Sequence, residues 1–572
     1  MNKLNHFIFH NSIIKKILLL TGILFLFSTT GYAIPVKKIQ KGTIHPRIVN
    51  IVNFIRLLEP RDPKITEEVL YNTVVRQVEV MQKYHLGGTF LLQYDALMDP
   101  RYQKLLKSLP RNSFEIGAWW EIPQPMVEKA GLKWRGRYAW DWHADVGFST
   151  GYTPAEREKL ADVYMSDFKS IYGYYPKSVG SWFIDAHTLN YLYQKYKIVA
   201  SSNCKDQYGT DGYTLWGGYW NQAYYPSKIN SYMPAQNEKS QIPVPIFRML
   251  GSDPIRQYDN GFGTDRQGVI TLEPVYKDAG GDSTWINWYF KEFIVGNAME
   301  FAYVQAGQEN SFTWEAMSKG FEFQMKLIAR LRNQKKLQVE TLAESGRWFK
   351  RHFKVTPSTS VVVNTDLKGS DRKTVWFNSR FFRANLLWEK GTLRFRDIHL
   401  FNENFPSVYT ANRATSNECS FFTLPFVDGY IWSAPEKTAG LRFKAVVNGK
   451  EKFLEGRSPV ITDSIPGKLH ILWPLKASHG KLVIDMDEKL ITMKIVGYNS
   501  ITWFLDLTTS DKAKLPFQKI SPTRIDCSFE GMPYSVTALK GSFSKPDKDI
   551  VFRLKPVKNV IQLNLTETKQ AK

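Results

Sequence analysis

From about residue 47 to residue 347, short apolar runs alternate with amphipathic stretches, the pattern of successive β/α units. The apolar runs at 48–58, 89–94, 114–120, 178–184, 198–202, 244–250 and 302–305 read as strands. After the first, Thr66 is placed as an N-cap, with Glu67 and Glu68 in the first turn and Leu70, Val74, Val78 and Met81 at helical spacing. A second helix opens on Thr153, Pro154 and Glu156, a capping box with proline at the first helical position. A long aromatic insertion precedes the sixth run. Seven strand–helix units in a row predict an α/β fold, a closed seven-stranded β/α barrel. Beyond residue 354 the texture changes to short strands at 360–363, 373–377, 393–395, 441–447, 482–485, 492–496 and 550–554, with Asn448-Gly449 as a hairpin turn. This predicts an antiparallel β-sandwich, so the chain divides into a barrel over 34–350 and a sandwich over 355–572.

The first 33 residues read as a signal peptide: Lys15 and Lys16 precede the apolar run 17–27, and Gly31 and Ala33 offer small residues before a cut. A secreted or periplasmic protein is therefore expected. No later run of eighteen apolar residues occurs, so no membrane span is expected after signal cleavage. Three scattered cysteines are too few for a disulfide framework or a zinc site of paired cysteines. The formal charge of +22 is spread over both halves, which argues against a nucleic-acid stripe and suits an anionic glycan better.

In a parallel barrel the loops at the carboxyl ends of the strands converge on one mouth. Glu59, Asp95, Glu121, Asp185, Asp206, Asp253 and Glu309 follow the proposed strands, and two carboxylates flanking a sugar bond are the minimum machinery of glycoside hydrolysis. Aromatic rings crowd the same loops, among them Trp119, Trp120, Trp142, Trp182, Trp216 and Trp220. Flat rings with a polar edge suit the C–H faces of sugars. A metal set is the alternative, from the alternating Asp141, His143 and Asp145 together with His187. HExxH, GxGxxG, P-loop and GxSxG motifs are absent.

The stretch "VLYNTVVRQVEVMQKYHLGGTFLLQYDAL", followed by "FEIGAWWEI" and "YPKSVGSWFIDAHTLNYLYQKYKIVAS", resembles the polysaccharide deacetylase type of the glycoside hydrolase/deacetylase superfamily over about residues 47–350. "TLAESGRWFKRHFKVTPST" resembles the junction of that barrel with the β-domain of an uncharacterised exported family. The resemblance implies a seven-stranded β/α barrel. It also implies a metal triad that this chain does not match, since "NFIRLLEPRD" stands where deacetylases carry paired aspartates and Trp119, Trp120 and Glu121 stand where they carry histidines. Related glycosidases use a carboxylate after strand four and another nearer the end of the barrel. The expectation is an exported carbohydrate-active enzyme, a glycoside hydrolase without a cofactor. Asp185 serves as nucleophile or base, Glu309 or Asp253 as acid, and Glu121 and Glu59 as further carboxylates. Arg56 and the tryptophans bind substrate. The rivals are a metal-dependent polysaccharide deacetylase and a glycan-binding barrel without catalysis.

Overall fold

The computed structural model describes residues 45–476, 479–497, 501–547 and 549–566. The signal peptide expected at 1–33 lies outside the described residues. All seven apolar runs contain parallel strands: β1 (Arg47–Ile55), β2 (Gly88–Leu92), β3 (Phe114–Trp119), β4 (Ser178–Gly180), β5 (Ala200–Asn203), β6 (Ile246–Arg248) and β7 (Ala302–Ala306). They stand in the order β7-β1-β2-β3-β4-β5-β6. The sheet is larger than seven strands, however. Ala223–Tyr224 adds an eighth, antiparallel to β6, and Gln338–Glu340 pairs with the start of β1. The barrel is nearly closed. No strand ladder joins β6 to β7, and Gln222 bridges the seam instead: its backbone carbonyl accepts from Arg248 N–H and its side-chain carbonyl from Tyr303 N–H, at 3.1 and 3.0 Å.

The helix signals act as read. Thr66 Oγ1 accepts from Val69 N–H, and Thr153 and Glu156 form the reciprocal box. Inside the barrel, Phe54 of β1 stacks on Trp119 of β3 across the intervening strand, with ring centroids 4.2 Å apart. These two share one buried apolar cluster with Val52, Leu91 and Cys204. The lumen holds so large an indole because its neighbours are small. A Cβ on Gly180 would come within 2.6 Å of Leu91 Cδ1 and 3.2 Å of the Trp119 ring, and one on Gly117 within 2.6 Å of Leu91 Cδ2.

The C-terminal strands form two further antiparallel sheets, of ten and eight strands. The larger includes β8 (Thr392–Leu400), β9 (Gly440–Val447), β10 (Trp503–Thr508) and β11 (Phe552–Lys555) as consecutive neighbours. Alternate residues such as Leu441, Phe443, Leu505 and Leu507, and in the smaller sheet Leu469, Ile471, Ile484 and Met493, lie in one continuous core. The barrel and these sheets are bound together: Cys419–Phe422 pairs in parallel with Tyr213–Trp216, and Trp220 stacks on Trp376 at 3.7 Å. The described residues belong to a single compact unit. Among the described residues no helix is long and apolar enough to cross a membrane. Cys204, Cys419 and Cys527 are free and buried.

Candidate functional site

Successive side chains of a strand alternate between faces, so the residues two places beyond the lumen aromatics continue the same inward file past the strand ends. Val52 and Phe54 lead to Arg56, Leu91 leads to Gln93, and Gly117 and Trp119 lead to Glu121. A polar layer thus caps the apolar lumen. Arg56 Nε and Nη2 donate to Glu121 Oε2 and Oε1 at 2.8 and 2.6 Å, and Gln93 Nε2 donates to Glu121 Oε2 at 2.8 Å. Asn310 clips the loop after β7 to the end of β1, accepting from Arg56 N–H and donating to Arg56 C=O at 2.9 and 2.8 Å. That clip brings Glu309 Oε2 to 2.8 Å from Arg56 Nη1. Glu59 Oε2 stands 3.8 Å from the same nitrogen, and Arg61 grips Glu59 through both oxygens at 2.6 Å. The Trp140 ring lies over the Arg56 guanidinium at 4.2 Å and covers the cluster.

Glu59, Asp95, Glu121 and Glu309 outnumber Arg56 and Arg61 here, and nearly all of these groups are buried. The charge cannot all be carried in a dry site. Burial pushes Glu309 up to about 7, against the pull of Arg56 and Arg61 and reinforced by Glu121 and Glu59. Burial likewise pushes Asp95 up to about 7, against hydrogen bonds from the backbone of Ala96 and Leu57 and with the Glu121 charge adding to it. Glu59 moves the other way: burial is outweighed by its hydrogen bonds to Arg61 and the Arg56 charge. A carboxyl group poised near neutrality and an ion-paired carboxylate therefore share one arginine. Such a division suits general acid–base chemistry.

Of the expected catalytic residues, Glu309, Glu121 and Glu59 converge on Arg56, which sits at the centre of the carboxylates. Asp185 does not join them. It is the N-cap of the helix Ala186–Tyr196, and its oxygens accept from Thr188 N–H and Oγ1, Ser149 Oγ and Arg157 Nη1 at 2.6–2.9 Å. Four donors engage the lone pairs that the expected nucleophile would use, and they hold Asp185 as a helix cap. Asp253 closes a turn through Ile255 and Arg256 N–H and receives Trp285 Nε1 at 3.1 Å, without contact to the Arg56 cluster.

The tryptophans divide. Trp119 and Trp182 meet edge to face in the lumen, and Trp142 is partly exposed between Arg61 and Arg137, at 5.4 and 4.5 Å. Trp120, expected to bind substrate, turns to the other face and packs on Tyr164 in the core. Trp216 and Trp220, also expected to bind substrate, pack between the barrel and the β-sheets: Trp216 donates to Asp428 at 2.8 Å, and Trp220 is covered by Trp376. The alternative metal residues are not brought together. Asp141 is held at about 2, burial being outweighed by its hydrogen bonds to Arg137, while His187 pairs with Glu158 at 3.0 Å. Among the described residues no group of three His, Cys, Asp or Glu is placed to hold a metal.

Gln93 and Asn310 escaped the strand-end reading, which looked for acids and aromatic rings. Extending the period-2 file of the lumen residues by one step finds Gln93, but Asn310 arrives from a loop with no periodicity to follow.

Residues 136–375 match the family profile of a domain of unknown function with a solved structure, DUF3863. No curated protein matches the chain. Among solved structures, a Parabacteroides distasonis protein provisionally named a glycoside hydrolase/deacetylase is 16% identical, with 70% of this chain and 90% of that one covered and a TM-score of 0.48. The 4-α-glucanotransferase of Thermococcus litoralis is 9% identical over 91% of this chain and 99% of that one, at 0.31. A family 4 acetyl xylan esterase of Clostridium thermocellum is 9% identical over 52% and 89%, at 0.23. These likenesses assign no residue of this chain a role.

Proposed function

We propose that the chain is an exported carbohydrate-active enzyme that hydrolyses a glycosidic bond, with Glu309 as the acid and Glu121 as the partner carboxylate. The observation that carries this reading is the pairing of a carboxyl group poised near 7 with an ion-paired carboxylate on one guanidinium at the barrel mouth. Glu309 gives its proton to the glycosidic oxygen as the bond breaks. Glu121, oriented by Arg56 and Gln93, offsets the positive charge that develops on the sugar or takes a proton from the attacking water. Trp142 and Trp182 offer ring faces and edges to the substrate. Because Trp140 covers Arg56, residues 137–143 swing aside to admit a sugar. In this reading residues 1–33 direct secretion or passage to the periplasm, 34–350 bear the chemistry and 355–572 brace it.

The deciding experiment measures reducing-end release from a glycan panel by the wild type and Glu309→Gln. The reading requires release by the wild type and its loss, with glycan binding retained, in the variant. A barrel that binds glycans without catalysis is the second reading, favoured by the complete burial of Glu121 under Arg56 and Trp140. It requires binding without release, and loss of binding in Trp142→Ala. Acetate release that stops on chelation and resumes with zinc would overturn both in favour of metal-dependent deacetylation. N-terminal sequencing of material outside the cytoplasm tests export, and an intact Met1 refutes it.

A further inference from the structure

Strands β8 to β11 bring Arg394, Arg442, Asp506 and Arg553 into register as one row across four strands. Their chain neighbours Leu393, Phe395, Leu441, Phe443, Leu505 and Leu507 fill the core, so the row projects from the opposite face of the sheet. Two arginines stand directly opposite each other, an arrangement that destabilises a sheet unless something lies between them.

The nearby acids are already committed. Asp506 accepts Arg553 through both oxygens at 2.7 and 3.0 Å and meets Lys444 Nζ at 3.0 Å. Glu389 takes Arg372 Nε at 2.6 Å, and Asp259 takes Arg396 Nη1 at 3.0 Å. Among the described residues Arg394 donates only to Ala439 C=O, and Arg442 only to Thr438, through its carbonyl and Oγ1 at 2.9 and 2.8 Å. Among the described residues no carboxylate lies within ion-pair reach of either. Arg394 is only 6% exposed, so water does little to screen it. Gly440 makes room for its side chain, since a Cβ there would come within 3.0 Å of Arg394 Cδ.

We propose that Arg394 and Arg442 form an oxyanion site that takes one sulfate, phosphate or carboxylate group. The group accepts from the guanidinium donors that the backbone leaves free, a match for which the planar fork of arginine is suited. It also supplies the counter-charge that Arg394 and Arg442 lack within ion-pair reach. The shift of Arg442 down to about 10, by burial and then by the Arg394 charge against a smaller pull from Glu389, accords with a pair only partly compensated. The anion is either a free inorganic ion or an acidic substituent on a glycan.

Inorganic sulfate is the first probe. Sulfate stabilises many proteins by exclusion from their surfaces, so the test is the difference between the wild type and Arg442→Gln at matched ionic strength. Calorimetric titration is expected to show saturable sulfate binding by the wild type, about tenfold or more weaker in the variant. Arg442→Lys, which keeps the charge and loses the fork, is expected to fall between. In chloride alone Arg442→Gln should melt no lower than the wild type, because it relieves a repulsion. Equal sulfate responses in the two proteins, no saturable binding by the wild type, or a lower melting point of the variant in chloride would overturn the site. Displacement of sulfate by polygalacturonate or a sulfated polysaccharide assigns the group to a glycan, and sulfate that neither displaces assigns it to a free ion.

Discussion

Replacing Glu309 by glutamine separates the electrostatics of the barrel mouth from its chemistry. Burial moves this carboxyl group from 4.5 to about 7, so at pH 8 the folded protein holds an ionised group that the unfolded chain ionises far more easily. At about 1.4 kcal/mol for each tenfold change in proton affinity, the cost to the folded state is about 3 kcal/mol. The sign follows from proton counting. Between pH 4.5 and 7 the folded state holds the proton and the unfolded state has lost it, so stability falls as pH rises through that window and levels off above it. Glutamine is a neutral isostere whose oxygen can face Arg56 Nη1, so it removes the pH-dependent cost while keeping the shape. Scanning calorimetry is expected to find wild type and Glu309→Gln nearly equal at pH 4. At pH 8 the variant is expected to melt higher by about 3 °C, given an unfolding entropy of about 1 kcal/mol/K for a unit of some 500 residues. Turnover by the wild type should fall as pH rises through about 7, where the acid loses its proton, and the variant should show none. A melting difference that does not change with pH would refute the proposed ionisation, even if activity were lost.

Three other changes probe the scaffold. Asp185→Asn leaves Arg157 buried without its counter-charge and should cost about 3–5 kcal/mol in thermal or denaturant unfolding, where a purely catalytic residue would cost little. Gly180→Ala pushes a methyl group into Leu91, Ser202 and Trp119, and should cost about 1–3 kcal/mol with a changed near-ultraviolet tryptophan signal. The connection from Phe353 to Ser358 should resist limited proteolysis, because Tyr225 Oη holds Phe353 C=O at 2.9 Å, Tyr219 Oη holds Pro357 C=O at 2.6 Å, and Thr356 is buried; early nicking there, read by mass spectrometry, would contradict that docking.

How far a sequence discloses a site depends on whether its residues obey a period. The strands were legible because burial on both faces leaves uninterrupted apolar runs, and the helix starts because Thr66 and Thr153 carry the chemistry their backbone needs. The count of seven fell short because Ala223–Tyr224 is two residues long and Gln338–Glu340 three, below the length at which alternation speaks. At Asp185, position in the chain leaves the role open. An acid at a strand end that opens a helix serves as a cap or as a catalyst from the same place, and its contact with Arg157, brought by another helix, follows no local pattern. Glu121 and Arg56 differ in that each continues a file already pointing inward, two residues beyond Trp119 and Phe54. Their partnership spans 65 residues of sequence, yet it follows from the alternation of two strands whose inward rings already touch. Glu309 adds what alternation cannot provide. Its approach to Arg56 depends on Asn310 clipping one loop to the end of β1, so removing that clip should uncouple the poised carboxyl group from the ion pair while leaving every strand in place.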